Sequence, residues 1–221
     1  MAREPYRLLE IETPHGPAQA VLELPRASRA GAGAGAGGLM VLGHGAGGGI
    51  DSADLLAVAE LARELGVAVA RVLQPYRVAG RRAAAPAHQL DAAWLAVLDA
   101  LRAQPECAAA LAAGPLICGG RSSGARVACR TAAAAEAAGV LCLAFPLHPP
   151  GKPEKSRLEE LAGVGEVPVL VVQGERDPFG MPDAAPPSRE VVAVPGTHTL
   201  SSAATLAGIR AAVRAWLAAR L

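Results

Sequence analysis

Cysteine is scarce in this chain. Cys107, Cys118, Cys129 and Cys142 are too few for a disulfide scaffold of 221 residues. None forms a C-x-x-C pair, which argues against a zinc ribbon or a thioredoxin-type site. Cys118 and Cys142 fall in apolar strand-like runs and Cys129 in a helical one, so they read as small buried hydrophobes. An excess of charge is also lacking, with 21 basic against 20 acidic side chains and a net charge of +1. No basic run stands out, so neither nucleic acid nor an anionic membrane is expected as a partner. Met1 to Glu10 holds no apolar core of a signal peptide. No apolar run reaches the roughly 18 residues of a membrane span. The expected location is the cytoplasm.

What is present is apolar. Such residues make up 52% of the chain and charged ones 19%, which excludes disorder. The length accommodates one domain over residues 1–221. Alanine occurs 51 times, and 19 of the 21 basic residues are Arg. That bias reads as GC-rich codon use rather than chemistry.

Strand and helix signals alternate along the chain. Tyr6–Thr13 and Ala18–Leu24 read as two strands around the turn Pro14-His15-Gly16-Pro17. Arg26 to Gly38 alternates Gly and Ala, buries little, and reads as a flexible surface loop. Further strands are expected at Leu39–Leu42, Val67–Leu73, Pro115–Cys118, Val140–Phe145, Val167–Gln173 and Glu190–Val194. Helices are expected at Ser52–Leu65, Pro86–Ala103, Ser123–Ala138 and Ser201–Leu221, with a short one at Leu158–Leu161. Pro75–Pro86 reads as a polar loop that carries arginines. The pattern implies an α/β fold: a three-layer sandwich around a mostly parallel sheet of about eight strands, its first two antiparallel.

Ligands bind such sheets at the carboxyl ends of the strands. Three strand ends carry Ser, Asp and His in that order: Gly120-Arg121-Ser122-Ser123-Gly124, Gly174-Glu175-Arg176-Asp177-Pro178 and Pro195-Gly196-Thr197-His198. The first matches G-x-S-x-G. A sharp strand-to-helix turn tolerates only small residues two places either side of the nucleophile. Ser122 has Gly120 and Gly124 there, whereas Ser123 has Arg121 and Ala125. Either serine would also serve as a helix N-cap. A serine hydroxyl needs a base, for which His198 is the candidate, and the base needs an orienting carboxylate. Asp177 is preferred to Glu175 and Asp183 because it follows the strand end directly.

An oxyanion hole needs backbone N–H donors. Ser123, after the nucleophile, would supply one. Ala46, in His44-Gly45-Ala46-Gly47-Gly48 after the third strand, would supply the other. The same segment fits the dinucleotide fingerprint G-x-G-x-x-G through Gly43, Gly45 and Gly48. The next strand ends in Leu73-Gln74-Pro75 rather than in an acid for a ribose, and Arg71, which suits a 2′-phosphate, lies inside that strand. No Gly-Lys-Ser/Thr follows, so a Walker A loop is excluded.

Together these segments resemble the α/β-hydrolase fold superfamily over nearly the whole chain. Gly43-His44-Gly45-Ala46-Gly47, Gly119 to Gly124, Phe145 to Pro153 and Gln173 to Gly180 narrow the likeness to the small, cap-less branch close to dienelactone hydrolases. Relatives of this branch include a domain of a histone-acetyltransferase-complex subunit. The resemblance implies a serine hydrolase of the carboxylesterase type, with Ser122, His198 and Asp177 as triad and no metal or organic cofactor. It also admits a catalytically silent interaction module on the same fold. Two features depart from it: the Gly31–Gly38 loop, and Ser122 where dienelactone hydrolases proper carry Cys.

Several other side chains are expected to line the site: His44, Gly45, Tyr76, Arg82, Arg121 and His148. The arginines are candidates for an anion on the substrate, or for salt bridges that shape the loops. Only about thirty residues separate Phe145 from Asp177, too few for a large cap. An open pocket for a small ester is the expectation. The sequence leaves the oligomeric state open.

Overall fold

The computed structural model describes residues 6–25 and 37–221. The expected Gly/Ala loop lies outside the described residues from 26 to 36. Among the described residues eight strands form one sheet: β1 (Tyr6–Ile11), β2 (Ala18–Glu23), β3 (Leu39–Gly43), β4 (Ala68–Leu73), β5 (Leu116–Arg121), β6 (Gly139–Leu143), β7 (Val169–Gly174) and β8 (Arg189–Val194). Their spatial order is β1-β2-β4-β3-β5-β6-β7-β8. β1 and β2 are antiparallel to their neighbours and the rest are parallel. β3, β6 and β7 are buried along their whole length and β5 up to Gly120, which is why they read as largely apolar runs.

Among the described residues seven helices cover the sheet: α1 (Ala53–Glu64), α2 (Pro75–Val78), α3 (Ala87–Arg102), α4 (Pro105–Ala113), α5 (Ser123–Thr131), α6 (Leu158–Ala162) and α7 (Ala203–Ala218). On one face α1 and α7 enclose Leu55, Leu61, Ile209 and Trp216 with Met40, Leu42 and Leu141. On the other, Trp94, Leu98, Leu101 and Val127 pack on Val41, Val72 and Cys118. The sequence pattern missed α4, although Pro105 at its first position and Glu106 in its first turn are helix-start signals. It also read α2 as loop.

Most element ends shift by one to three residues from the expected ones, and two shifts have a visible cause. β5 runs through Gly119 and Gly120 to Arg121, because both glycines pair with β6 and β3. α5 stops at Thr131 rather than Ala138. The chain turns at Glu136, whose φ is +50°, and the side chain of Arg102 takes the carbonyl of Ala135 at 2.6 Å. High helix propensity in the alanine run is overridden by these tertiary contacts.

β3 pairs with β4 on one side and β5 on the other. The chain therefore reverses its direction of travel across the sheet beside β3, and the carboxyl ends of β3 and β5 flank that point.

Candidate active site

Ser122 stands between β5 and α5 with φ +51° and ψ −107°. A non-glycine residue rarely adopts such a backbone. It is held there by Ser122 N–H donating to the Leu143 carbonyl at 2.9 Å and by Arg126 N–H donating back to the Ser122 carbonyl at 3.2 Å. The turn is tight enough that side chains are excluded on both flanks. A Cβ on Gly120 would lie 2.9 Å from the Gly43 nitrogen, and one on Gly124 would lie 2.9 Å from the Gly43 Cα.

The three strand ends converge. Ser122 Oγ lies 3.0 Å from His198 Nε2, and His198 Nδ1 lies 2.9 Å from Asp177 Oδ2. The Asp177 carboxylate is 1% exposed and His198 is partly covered, its ring lying 4.2 Å from that of Phe179. Asp177 Oδ1 accepts the Phe179 N–H at 2.9 Å, and Oδ2 also accepts from Gln173 Nε2 at 2.8 Å. With Asp177 acting only as acceptor, Nδ1 carries the imidazole proton and Nε2 is left to accept the serine hydroxyl. The arrangement can draw a proton from Oγ and stabilise the imidazolium that forms.

The glycine loop after β3 is fixed from two sides. His44 Nδ1 donates to the Gly45 carbonyl at 2.8 Å and its Nε2 accepts the Gln74 N–H at 3.1 Å. The Tyr76 hydroxyl donates to the Ala46 carbonyl at 2.7 Å. Because a trans peptide is planar, a Gly45 carbonyl turned toward His44 turns the Ala46 N–H the opposite way. Ala46 and Ser123 both line the cavity in front of Ser122. The Ser123 N–H belongs to the first turn of α5, where amides have no intrahelical acceptor.

That cavity is open and of about 260 Å³. None of His44, Gly45, Tyr76, Arg82, Arg121 and His148 lines it. His44 and Tyr76 are buried beneath the loop they fix. Gly45 packs on the Arg121 guanidinium. Arg121 pairs with the wholly buried Asp54 of α1 at 2.9 Å and donates to the His198 carbonyl at 2.7 Å. It ties the elbow to α1 and to the histidine loop instead of facing a substrate. Arg82 is exposed to solvent. His148 supports the Asp177 loop, its N–H donating to the Phe179 carbonyl at 3.0 Å and its ring lying against Gly180. The arginines that do line the cavity are Arg126, Arg130 and Arg157. The spacing of four from Ser122 to Arg126 and Arg130 marks one face of α5 and was a readable signal. Arg157 follows β6 by a loop and carried none.

The dinucleotide alternative finds no support in this arrangement. Gly48 lies five residues before α1 begins, and Arg71 is held by Glu23 at 3.0 Å and Asp51 at 2.7 Å. Among the described residues no group of three or more His, Cys, Asp or Glu is placed to hold a metal ion. Among them, too, no helix is long and apolar enough to cross a membrane.

The family of alpha/beta hydrolase domains matches residues 36–193, well over half of the chain. The chain belongs to this family. Solved structures agree on the fold of this family member. A lid-less α/β serine hydrolase from Xanthomonas campestris superposes with a TM-score of 0.71 at 22% identity, over 98% of this chain and 97% of that one. Est1E from Butyrivibrio proteoclasticus gives 0.70 at 17% identity, over 96% and 98%. Dienelactone hydrolase from Anabaena variabilis gives 0.70 at 18% identity, over 98% of both chains. No curated protein matches the chain. The expected fold, with its sheet of eight strands and without a large cap, is the one found.

Proposed function

We propose that this member of the alpha/beta hydrolase family is a serine hydrolase that cleaves a small ester or related acyl bond through a covalent acyl-enzyme. The observation that carries the reading is the unbroken hydrogen-bond chain from Ser122 Oγ through His198 to Asp177. In the first half-reaction Oγ bonds to the carbonyl carbon while its proton passes to His198 Nε2. The carbonyl oxygen takes up the negative charge, facing the amides of Ala46 and Ser123. The bond to the leaving oxygen then breaks, and Nε2 returns its proton to that oxygen. In the second half-reaction water takes the place of Oγ, so the acid is released and Ser122 regains its proton. Asp177 accepts from Nδ1 and holds the imidazole in the tautomer that keeps Nε2 free to accept. Its hydrogen bonds from Phe179 and Gln173 leave it little freedom to turn away.

A silent interaction module would have no need of a serine in a strained backbone paired with an oriented histidine. The small open cavity favours short or exposed acyl groups over long buried chains. Intact-mass analysis after incubation with a fluorophosphonate tests the reading. One adduct is expected on the wild type and none on Ser122→Ala. A folded wild-type protein that takes no adduct overturns the proposal in favour of the interaction module.

A further inference from the structure

The cavity in front of Ser122 has two unlike walls. One is apolar, with Ala85, Leu90, Pro146 and Phe179. The other is formed by Arg126, Arg130 and Arg157. Two carboxylates answer these three cations. Glu160 takes Nε and Nη2 of Arg126 at 2.8 and 2.5 Å, and Nη1 of Arg130 at 3.2 Å. Asp91 takes Nε and Nη2 of Arg130 at 2.9 and 2.6 Å. One positive charge is left over.

The surplus falls on Arg157. Its Nη1 donates to the Pro146 carbonyl at 2.8 Å, and its own N–H donates to the Leu147 carbonyl at 2.7 Å, so the side chain is anchored at the cavity rim. Among the described residues no carboxylate comes within ion-pair distance of it. A guanidinium offers five donors in a planar fork, and a single carbonyl occupies one of them. Partial burial, and then the like charge of Arg126, hold its pKa below the ordinary value, with Glu160 opposing. The charge of a bound anion offsets both effects. The first turn of α5, with Ser123 on the cavity wall, also favours negative charge in this cavity.

We infer that the substrate is a small ester that also carries a free carboxylate, which Arg157 binds at the cavity rim while the ester carbonyl sits at Ser122. The inference rests on the serine-hydrolase reading and names its substrate class. The apolar wall takes the short chain between the two groups. A cavity of about 260 Å³ lies below the usual range of roughly 300–1,000 Å³ for drug-sized ligands, which keeps that chain short. Arg126 and Arg130, held by carboxylates, give shape and field to the wall and leave the direct contact to Arg157.

The test compares mono(4-nitrophenyl) glutarate with its methyl ester, the same skeleton with the carboxylate masked. The wild type is expected to favour the free acid in kcat/KM by about ten- to a hundredfold, the worth of a hydrogen bond to a charged group. In Arg157→Gln that ratio falls by tenfold or more. Arg157→Lys, which keeps the charge, retains part of it, and exposed Arg82→Gln retains all of it. A wild-type ratio near one, or a ratio unmoved in Arg157→Gln, overturns the inference while leaving the hydrolase reading intact. Calorimetric titration of Ser122→Ala with monomethyl glutarate reads the cavity without turnover. Binding that is lost when Arg157→Gln is added upholds the carboxylate site even if no ester is cleaved. The absence of binding at millimolar concentration overturns it. Failure of the fluorophosphonate adduct on wild type, by contrast, removes the hydrolase reading and the ester half of the inference, and leaves the carboxylate site to be decided by the titration.

Discussion

Gly124 and Gly43 are packed backbone to backbone, so that a methyl group on Gly124 would stand 2.9 Å from the Gly43 Cα and closer still to its carbonyl. This contact presses the first turn of α5 onto the end of β3. It thereby sets Ser122, which begins the turn, beside the loop that carries Ala46. Ser122 takes its left-handed backbone because the chain has no wider path between β5 and a helix seated so close.

Gly124→Ala is expected to cost about 2 kcal/mol or more, since backbone rather than a flexible side chain must give way. Gly49→Ala meets nothing within 4 Å and is expected to stay within about 0.5 kcal/mol of wild type. Urea denaturation of both variants checks the pair. Equal midpoints would mean that the elbow is looser than its geometry states.

Much of this site was legible before the fold was known, and the reason is local. Ser122, Asp177 and His198 each follow a short apolar run, and a parallel sheet brings such strand ends to one edge. The glycines flanking Ser122 record a steric demand that no other residue type meets. The side chains around the cavity were not legible in the same way. Arg121 sits inside the elbow motif, yet buried Asp54 draws it under the sheet edge, a pairing across 67 positions that no local pattern contains. Arg157 reaches the cavity only because its N–H and guanidinium find the carbonyls of Leu147 and Pro146. The run Ala132–Ala135 has helix propensity throughout, but propensity does not register that Arg102 takes the Ala135 carbonyl.

Gln173 is a positioning residue in this arrangement. Its wholly buried amide donates to Asp177 Oδ2, the same oxygen that receives His198 Nδ1–H, and also reaches the carbonyls of Phe145 and Gly180. Gln173→Glu places a second carboxylate beside Asp177. Neighbouring carboxylates resist joint ionisation, and the added negative charge favours the imidazolium form of His198. The acid limb of the fluorophosphonate labelling rate is expected to move to higher pH, with at least a tenfold loss of rate at pH 7. Gln173→Met removes the donor without adding charge and is expected to lower the rate with the limb in place. The contrast separates an electrostatic role from simple loosening of the loop.

The cysteines are expected to be inert. All four are buried and unpaired. Burial pushes the Cys118 thiol up to about 12 and the Cys107 thiol up to about 11. Cys142 is raised as well, first by its contact with Cys129 at 3.5 Å and then by burial. At pH 7.5 roughly one Cys107 in a few thousand is a thiolate, and thiolate is the reactive form. Folded protein treated with iodoacetamide should keep its mass and its full fluorophosphonate adduct, whereas protein in urea should take up four labels. Loss of the adduct from folded protein would make a cysteine, rather than Ser122, the group to pursue.

His44 ties stability to pH through the loop that holds Ala46. Burial lowers its pKa from the ordinary 6.5; the hydrogen bond to the Gly45 carbonyl opposes this, and the charge of Arg77 adds to it. The hydrogen bonds explain why the neutral form is kept. Nε2 accepts the Gln74 N–H, and a proton on Nε2 would set one donor against another. The unfolded chain protonates His44 near pH 6.5 and the folded chain only at lower pH. Between those values the unfolded state binds more protons, so stability rises with pH. His44 contributes fully above pH 6.5, and that contribution drains away as pH falls through the folded value. His44→Gln breaks the pair of hydrogen bonds and is expected to cost about 1–3 kcal/mol at pH 7.5. Because the variant has no proton to take up, its deficit against wild type should narrow steadily between pH 7 and pH 5. Urea midpoints of the two proteins across that range measure the narrowing. A deficit that stays constant would show that His44 is protonated as easily in the folded loop as in the open chain.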